Sequence, residues 1–341
     1  MSVLSKVNTQ FSNKLPFVLY ALPNSKKVCA LLQTNDTVYQ FKEQDGFIMA
    51  PFNSKEVLVI PNDASVFIEE DFKDNAIQSE SFEISFNEIE KQDFERIVTL
   101  AVEQIKEGNF EKVVLSRSIV VETDVDCVDS FCKMVQRYPT AFCYVYYHPK
   151  IGCWMGATPE QLLKVTNHNF ETVALAGTQK KADFIDWSAK EKHEQQVVTD
   201  YILECLHEEV LTLKVAEPTT VEAGELVHLK TTITGNVYSD ENIKTILNQL
   251  NPTPAVCGFP KESALEFILK NENYDREFYT GYLGLWDTTT STANLFVNLR
   301  CMKIEDGKAV IYVGCGITAD SNPEKEFFET EHKSMTMRTI L

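Results

Sequence analysis

The chain has 341 residues, 44% of them hydrophobic, with 32 Lys and Arg against 50 Asp and Glu. That length allows one large domain or two ordinary ones, with enough apolar residues for a sizeable core. A net charge of −18 argues against nucleic acid or an anionic membrane as partner, since both need a basic surface.

The nine cysteines include no CxxC pair, which predicts reduced, mostly buried thiols. Residues 1–6 lack the apolar core of a secretory signal. No run approaches the roughly 18 apolar residues that span a bilayer. A cytoplasmic protein is expected.

Residues 1–90 carry short apolar runs broken by Asn, Asp, Ser and Pro, which predict short strands and loops without a chemical motif. Phe94, Ile97, Val98, Ala101 and Ile105 keep helical spacing, so a helix is predicted over 92–107, stopped by Gly108. Strands follow over 112–121, 141–147 and 153–165, the last with a Thr158-Pro159 turn inside it. A short strand over 173–176 ends at Gly177. Ser188 and Glu191 have capping-box spacing at the start of a helix predicted over 189–212. Its apolar stripe is Val197, Val198, Tyr201, Ile202 and Cys205.

Further strands are predicted near 226–234, 279–286, 293–303 and 309–317. Glu305-Asp-Gly307 joins the last two as a hairpin turn. A C-terminal helix begins at Pro323, a favoured first helical position. With no repeat or linker, the pattern predicts one α+β domain over 1–341, with an extensive, mostly antiparallel sheet. Within it, 1–90 is a strand-rich part and 91–341 carries the candidate chemistry.

Two acidic pairs stand out, Glu191 with Glu194 and Glu326 with Glu329. Each has three-residue spacing near a predicted helix start, so both members share a face. Two such faces brought together make an oxygen-rich nest for a hard cation such as Mg²⁺. Glu194 projects toward the middle of its helix's apolar stripe, where an unpaired carboxylate is costly. Glu191 is already explained by the capping box. Glu329 and Lys333 have the order of an ordinary surface ion pair, and Glu326 suits a first helical turn. Gly314-Cys-Gly316 just upstream can bring backbone N–H groups close to an anion. Lys112, at a strand start, also fits a snorkelling lysine. Glu160 in a turn, His228 before a strand and Arg300 at a strand end each have ordinary structural explanations.

Taken in order, a set of blocks resembles the chorismate-utilising enzymes, and within them the isochorismate synthases. The blocks are Lys112-Val-Val-Leu-Ser-Arg117, Gly156-Ala-Thr-Pro-Glu160, Leu175-Ala-Gly-Thr178, Lys192-His-Glu194 and His228-Leu-Lys-Thr231. They continue with Asn251-Pro-Thr-Pro-Ala-Val-Cys-Gly-Phe-Pro-Lys261, Arg276-Glu-Phe-Tyr-Thr-Gly281, Gly314-Cys-Gly-Ile317 and the segment 323–333. The resemblance covers about 110–337 and not the first hundred residues.

The resemblance implies a two-layer, mostly antiparallel sheet core flanked by helices. It also implies Mg²⁺-dependent conversion of chorismate to isochorismate. Lys112 then matches the general base that activates water for attack at ring carbon 2, and Glu160 the general acid for the departing 4-hydroxyl. Glu194 and Glu329 match direct metal ligands, with Glu191 and Glu326 as supporting acids. Tyr279, Arg300, Lys333 and the backbone at Gly314 and Gly316 match the carboxylate-binding set, while Gly177, Thr178 and His228 line the site.

Among the siblings, salicylate synthases share Lys112 and Glu160, and so are the alternative. Anthranilate-type enzymes usually carry Gln at the Lys112 position. Ala176 stands where aminodeoxychorismate synthases often have a nucleophilic lysine. A non-catalytic ligand-binding homologue is disfavoured by retention of both acid–base residues and all four acids. A monomer without a glutaminase subunit is expected, its product feeding menaquinone or siderophore synthesis.

Overall fold

A computed structural model describes residues 1–42, 44–53, 56–73, 86–182, 185–223 and 226–341. Among these, the helices are α1 Val3–Ser12, α2 Glu88–Lys106, α3 Cys127–Arg137, α4 Ala189–Leu206, α5 Asp240–Leu250, α6 Lys261–Asn271 and α7 Pro323–Arg338. The first strands are β1 Phe17–Ala21, β2 Lys27–Gln33, β3 Tyr39–Gln40, β4 Gly46–Ala50, β5 Leu58–Pro61 and β6 Ser65–Asp71. Next come β7 Lys112–Glu122, β8 Phe142–His148, β9 Gly152–Thr158, β10 Gln161–Thr166, β11 Asn169–Lys180, β12 Val210–Val215, β13 Thr219–Ala223 and β14 Leu226–Val237. The last are β15 Gly258–Phe259, β16 Tyr282–Asp287, β17 Thr292–Val297, β18 Cys301–Glu305 and β19 Lys308–Ile317.

The strands form two antiparallel sheets. One has the order β15-β7-β19-β18-β9-β8-β1-β2-β6, and the other β12-β14-β11-β10-β17-β16-β4-β5-β3, with β13 also on β14. Side-chain alternation distributes the core. Phe17 and Leu19 of β1 face outward with Val3, Val7, Phe131 and Met134 from α1 and α3. Val18 and Tyr20 face inward, packed with Phe47, Met49, Tyr144 and Leu283 from both sheets. Each Phe or Leu so buried contributes roughly 1.5–3 kcal/mol. With both faces covered, β1 and β4 are buried at every position and read as unbroken apolar runs. Helices α4 and α5 cover the second sheet, and α2, α6 and α7 cover the β7–β19 end of the first.

Several elements differ from the sequence-based expectation. Helix α2 starts earlier because the Asn87 side chain caps it, accepting from the Ile89 N–H. Helix α4 ends at Leu206, and the alternating Val210–Val215 segment pairs with β14 instead of extending the helix. The short strand over 173–176 is the middle of β11. Gly177 does not end it, but sits at φ +69° in a bulge between Ala176 and Thr178. The segments 153–165 and 293–303 are each two strands lying in different sheets, so the chain crosses between layers inside both. Helices α1, α3, α5 and α6 have no counterpart in the sequence-based reading.

Candidate active site

The two crossings lie side by side. The Val297 N–H donates to the Glu160 carbonyl at 2.9 Å, and the Ala157 N–H donates to the Arg300 carbonyl at 3.0 Å. Thr158 Oγ1 donates to the Val297 carbonyl at 2.6 Å and accepts from the Glu160 N–H at 3.2 Å. Glu160 and Arg300, which sequence pattern leaves as a turn residue and a strand-end residue, therefore share one end of the sandwich. Arg300 adopts φ +49°, a left-handed backbone that costs a non-glycine residue about 1–2 kcal/mol. The cost is met where two layers exchange a strand.

Lys112 opens β7 at the same end, beside the last residues of β19. A Cβ on Gly316 would lie 3.0 Å from Lys112 Cε and 3.5 Å from Nζ, so the lysine occupies the space a side chain would need. A Cβ on Gly314 would lie 3.0 Å from the Tyr279 hydroxyl. Tyr279 is buried and stacked on Tyr312, with ring centroids 5.5 Å apart. Lys333 of α7 donates to the Gly314 carbonyl at 2.9 Å and pairs with Glu329 at 2.7 Å. That pair is thus tied into the sheet end and is not an isolated surface bridge.

Charge and burial set the proton affinities. Burial holds the Lys112 ammonium below its ordinary value. Glu194, Glu160 and Glu329 oppose the shift, and Lys333 adds to it. Burial pushes Glu160 up to about 7, against the pull of Lys112 and Lys333. Burial would also raise Glu329, but Lys333, Arg300 and His228 together hold it below the usual range. Burial raises Glu326, and the neighbouring Glu329 adds to the rise, against Ser321, Cys315 and Lys333. His228 is lowered by burial, and its Nδ1 stands 3.2 Å from the Gly177 carbonyl. Burial lowers Arg300, opposed by Tyr279, Tyr138 and Glu329, and its guanidinium donates to Thr336 Oγ1 at 3.0 Å. Glu160, Glu194, Glu329 and Lys333 thus all act on Lys112 at this end of the sandwich.

The first acidic pair divides. Glu191 accepts from the Ser188 N–H at 2.7 Å through one oxygen and from Gln179 Nε2 at 2.8 Å through the other. The capping box is formed. Glu194 does not lie at the centre of the apolar stripe. The buried face of α4 is Gln195, Val198, Thr199, Ile202, Cys205 and Leu206, and Glu194 is half-buried at its edge. Gln195 Nε2 donates to the Ala174 carbonyl at 2.9 Å and to Thr231 Oγ1 at 3.0 Å, anchoring α4 to β11 and β14. Gly177 backs onto α4, since a Cβ there would lie 3.3 Å from Glu191 Cβ. Thr178 pairs with His228 through the backbone, and its side chain lies outside the described set.

Among the described residues, no three His, Cys, Asp or Glu side chains gather as a metal site. The donor chemistry nevertheless suits a hard cation. Glu326 and Glu329 act on each other as like charges, and Glu194 and Glu329 both act on Lys112. A divalent ion would relieve that repulsion.

Sequence reasoning missed the support behind Lys112. Arg276 and Glu272 form a buried ion pair at 2.6 Å. Arg276 donates to the Val114 carbonyl at 2.7 Å and the Val256 carbonyl at 3.0 Å. Glu272 accepts from the Ser116 N–H at 2.7 Å and its Oγ at 2.9 Å. The pair fastens β7 to the 251–261 block. Arg276 stands in a quoted block, but only tertiary structure shows what it holds.

Residues 60–341 match the family described as chorismate binding enzyme. The chain belongs to this family. The isochorismate synthase EntC of Escherichia coli K12 is 31% identical over 276 residues, covering 75% of this chain and 70% of the relative. The isochorismate synthase DhbC of Bacillus subtilis 168 is 30% identical over 270 residues, covering 73% and 67%.

Two solved structures share the fold. One is DhbC of Bacillus anthracis, with TM-score 0.81, 24% identity and 98% of each chain covered. The other is the menaquinone-specific MenF of Escherichia coli, with TM-score 0.83, 20% identity, and 100% of this chain and 91% of that one covered. The chorismate-binding fold therefore extends through the N-terminal strands, where the motif blocks give no match. No helix among the described residues is long and apolar enough to cross a membrane.

Proposed function

We propose that this chorismate-binding enzyme converts chorismate to isochorismate with Mg²⁺, as a cytoplasmic monomer without a glutaminase subunit. The observation that carries this reading is that Lys112 and Glu160 act on each other, with proton affinities pushed in opposite directions. Burial favours a neutral amine on Lys112, able to take a proton from water. It equally favours a neutral acid on Glu160, able to give one.

In this reading, water attacks ring carbon 2 while Lys112 Nζ takes its proton. The ring double bonds shift, the bond from carbon 4 to oxygen breaks, and Glu160 protonates the leaving hydroxyl. One water enters and one leaves, so substrate and product are isomers. Lys112 ends as an ammonium and Glu160 as a carboxylate, and a returning proton resets them.

Chorismate is a dianion, and a chain of net charge −18 needs local cations to hold it. Arg300, Lys333, Tyr279 and the backbone at Gly314 and Gly316 would take a carboxylate, with Gly177, Thr178 and His228 lining the cleft. Glu194 and Glu329 would hold Mg²⁺, supported by Glu326 and by Glu191. When bound, the ion supplies positive charge that grips a substrate carboxylate.

The test is product analysis after incubating the purified protein with chorismate and Mg²⁺. The expected product is isochorismate without pyruvate. Salicylate plus pyruvate would favour the salicylate synthase alternative, and ammonium-dependent anthranilate would overturn both.

A further inference from the structure

Away from the cleft, two thiols meet. Cys127 Sγ and Cys153 Sγ lie 3.5 Å apart. Cys127 is the first residue of α3, and Cys153 stands near the start of β9, so the contact joins a helix to the sheet beneath it. Both belong to the core on the outer face of the first sheet, and neither contributes to the acid–base cleft. Cys143, Cys257 and Cys301 instead direct their thiols at backbone carbonyls.

We propose that Cys127 and Cys153 are a dithiol site that hydrogen peroxide oxidises to an intramolecular disulfide. The sulfurs need to approach by only about 1.5 Å to reach bonding distance. Cys127 keeps 7% of its surface, at the exposed N-terminal turn of α3, which suits a small oxidant. The two thiols also differ in kind. The hydrogen bond with Cys153 outweighs burial and lowers Cys127, and the same bond with burial raises Cys153 well above its ordinary value. Burial raises Cys132 and Cys257 to about 11 and Cys143 to about 12.

As the first residue of α3, where the helix N-terminus favours a thiolate, Cys127 is the attacking sulfur and Cys153 the resolving one. The Cys127 thiolate attacks one peroxide oxygen, breaks the O–O bond and becomes a sulfenic acid, with one water formed. The Cys153 sulfur then attacks the sulfenic sulfur, forming the S–S bond and releasing a second water. Two thiols lose two electrons in all, and peroxide gains them. The bridge ties the start of α3 to β9, the strand that ends at Thr158.

The experiment treats the full chain with a small excess of hydrogen peroxide, then unfolds it and labels free thiols with N-ethylmaleimide. The expected result is seven labelled cysteines of the nine, a proteolytic peptide joining residues 127 and 153, and recovery of all labels after dithiothreitol. Cys127→Ser and Cys153→Ser should each abolish the linked peptide, and oxidation should raise the Tm of wild type but not of either variant. Cys127→Ala and Cys153→Ala serve if a serine variant fails to fold. Nine labelled cysteines, a peptide linking another pair, or a sulfinic acid on Cys127 without a bridge would overturn the proposal.

Discussion

Helices α4 and α7 each carry two carboxylates three residues apart, yet the fold uses the two pairs differently. On α4, Glu191 accepts from the Ser188 N–H and from Gln179, while Glu194 acts on Lys112. On α7, Glu326 and Glu329 act on each other, and Glu329 is held by Lys333, Arg300 and His228. One pair is a cap plus a lone carboxylate, and the other is a crowded couple beside cations. Equal spacing says that two acids share a face. It does not say what the face meets.

That contrast can be broken by substitution. The largest effect is expected at Glu194 and Glu329, the carboxylates proposed to hold Mg²⁺. Glu194→Ala or Glu329→Ala should each lower Mg²⁺-dependent turnover by about 10³-fold or more, since a bound ion is worth several kcal/mol of charge stabilisation. Excess EDTA should silence the wild type in the same assay. Mg²⁺ titrations of initial rate check this, and a variant with near wild-type rates would remove its carboxylate from the metal assignment.

Next come the acid and the base. Lys112→Gln should cost roughly 10²–10⁴ in kcat/KM with the fold intact by circular dichroism. Glu160→Gln should lose a similar amount and also change the pH profile. With Glu160 near 7 and needed protonated, wild-type kcat/KM falls as pH rises through about 7. With Lys112 needed neutral, it falls again at low pH. Glu160→Gln should lose the alkaline fall, while Lys112→Gln should lose the acid one. An unchanged profile in either variant would show that another group titrates.

The smallest effects sharpen the comparison between the helices. Glu326→Gln should cost about 10–100-fold in Mg²⁺ affinity or activity, as supporting acids of metal sites do. Glu191→Gln keeps a side chain able to complete the capping box, so it should leave Tm unchanged and cost less than tenfold. Glu191→Ala should lose about 1 kcal/mol of stability. A loss of activity in Glu191→Gln as large as in Glu326→Gln would mean that Glu191 supports the ion as closely as Glu326 does.

Much of the architecture was legible where local chemistry is strong. The Ser188–Glu191 capping box, the Pro323 start of α7 and the Asp306-Gly307 turn, with Gly307 at φ +71°, all form as their residues indicate. Helix α3 carried a signal too. Asp126 caps it, and Cys127, Phe131, Met134 and Val135 keep helical spacing.

The inter-sheet crossings at 159–160 and 298–300 were not legible. Apolar residues continue on both sides of each crossing, because the strands there bury residues whichever sheet they join. At the site, the motif blocks named the residues, but their isolated patterns fit bland roles equally well. Lys112 differs from a snorkelling lysine only through Gly316, Glu160 and Glu194, which are remote in sequence. The Arg276–Glu272 support is invisible for the same reason.

In the proposed reaction, Lys112 delivers solvent water to ring carbon 2 while Glu160 releases the 4-hydroxyl. The most direct test runs the purified enzyme with chorismate and Mg²⁺ in H₂¹⁸O and locates the label in the product by mass spectrometry and NMR. The expected product is isochorismate carrying one ¹⁸O on carbon 2, formed by wild type and not by Lys112→Gln. Unlabelled isochorismate would contradict it, because the hydroxyl would then have moved within the substrate without passing through water.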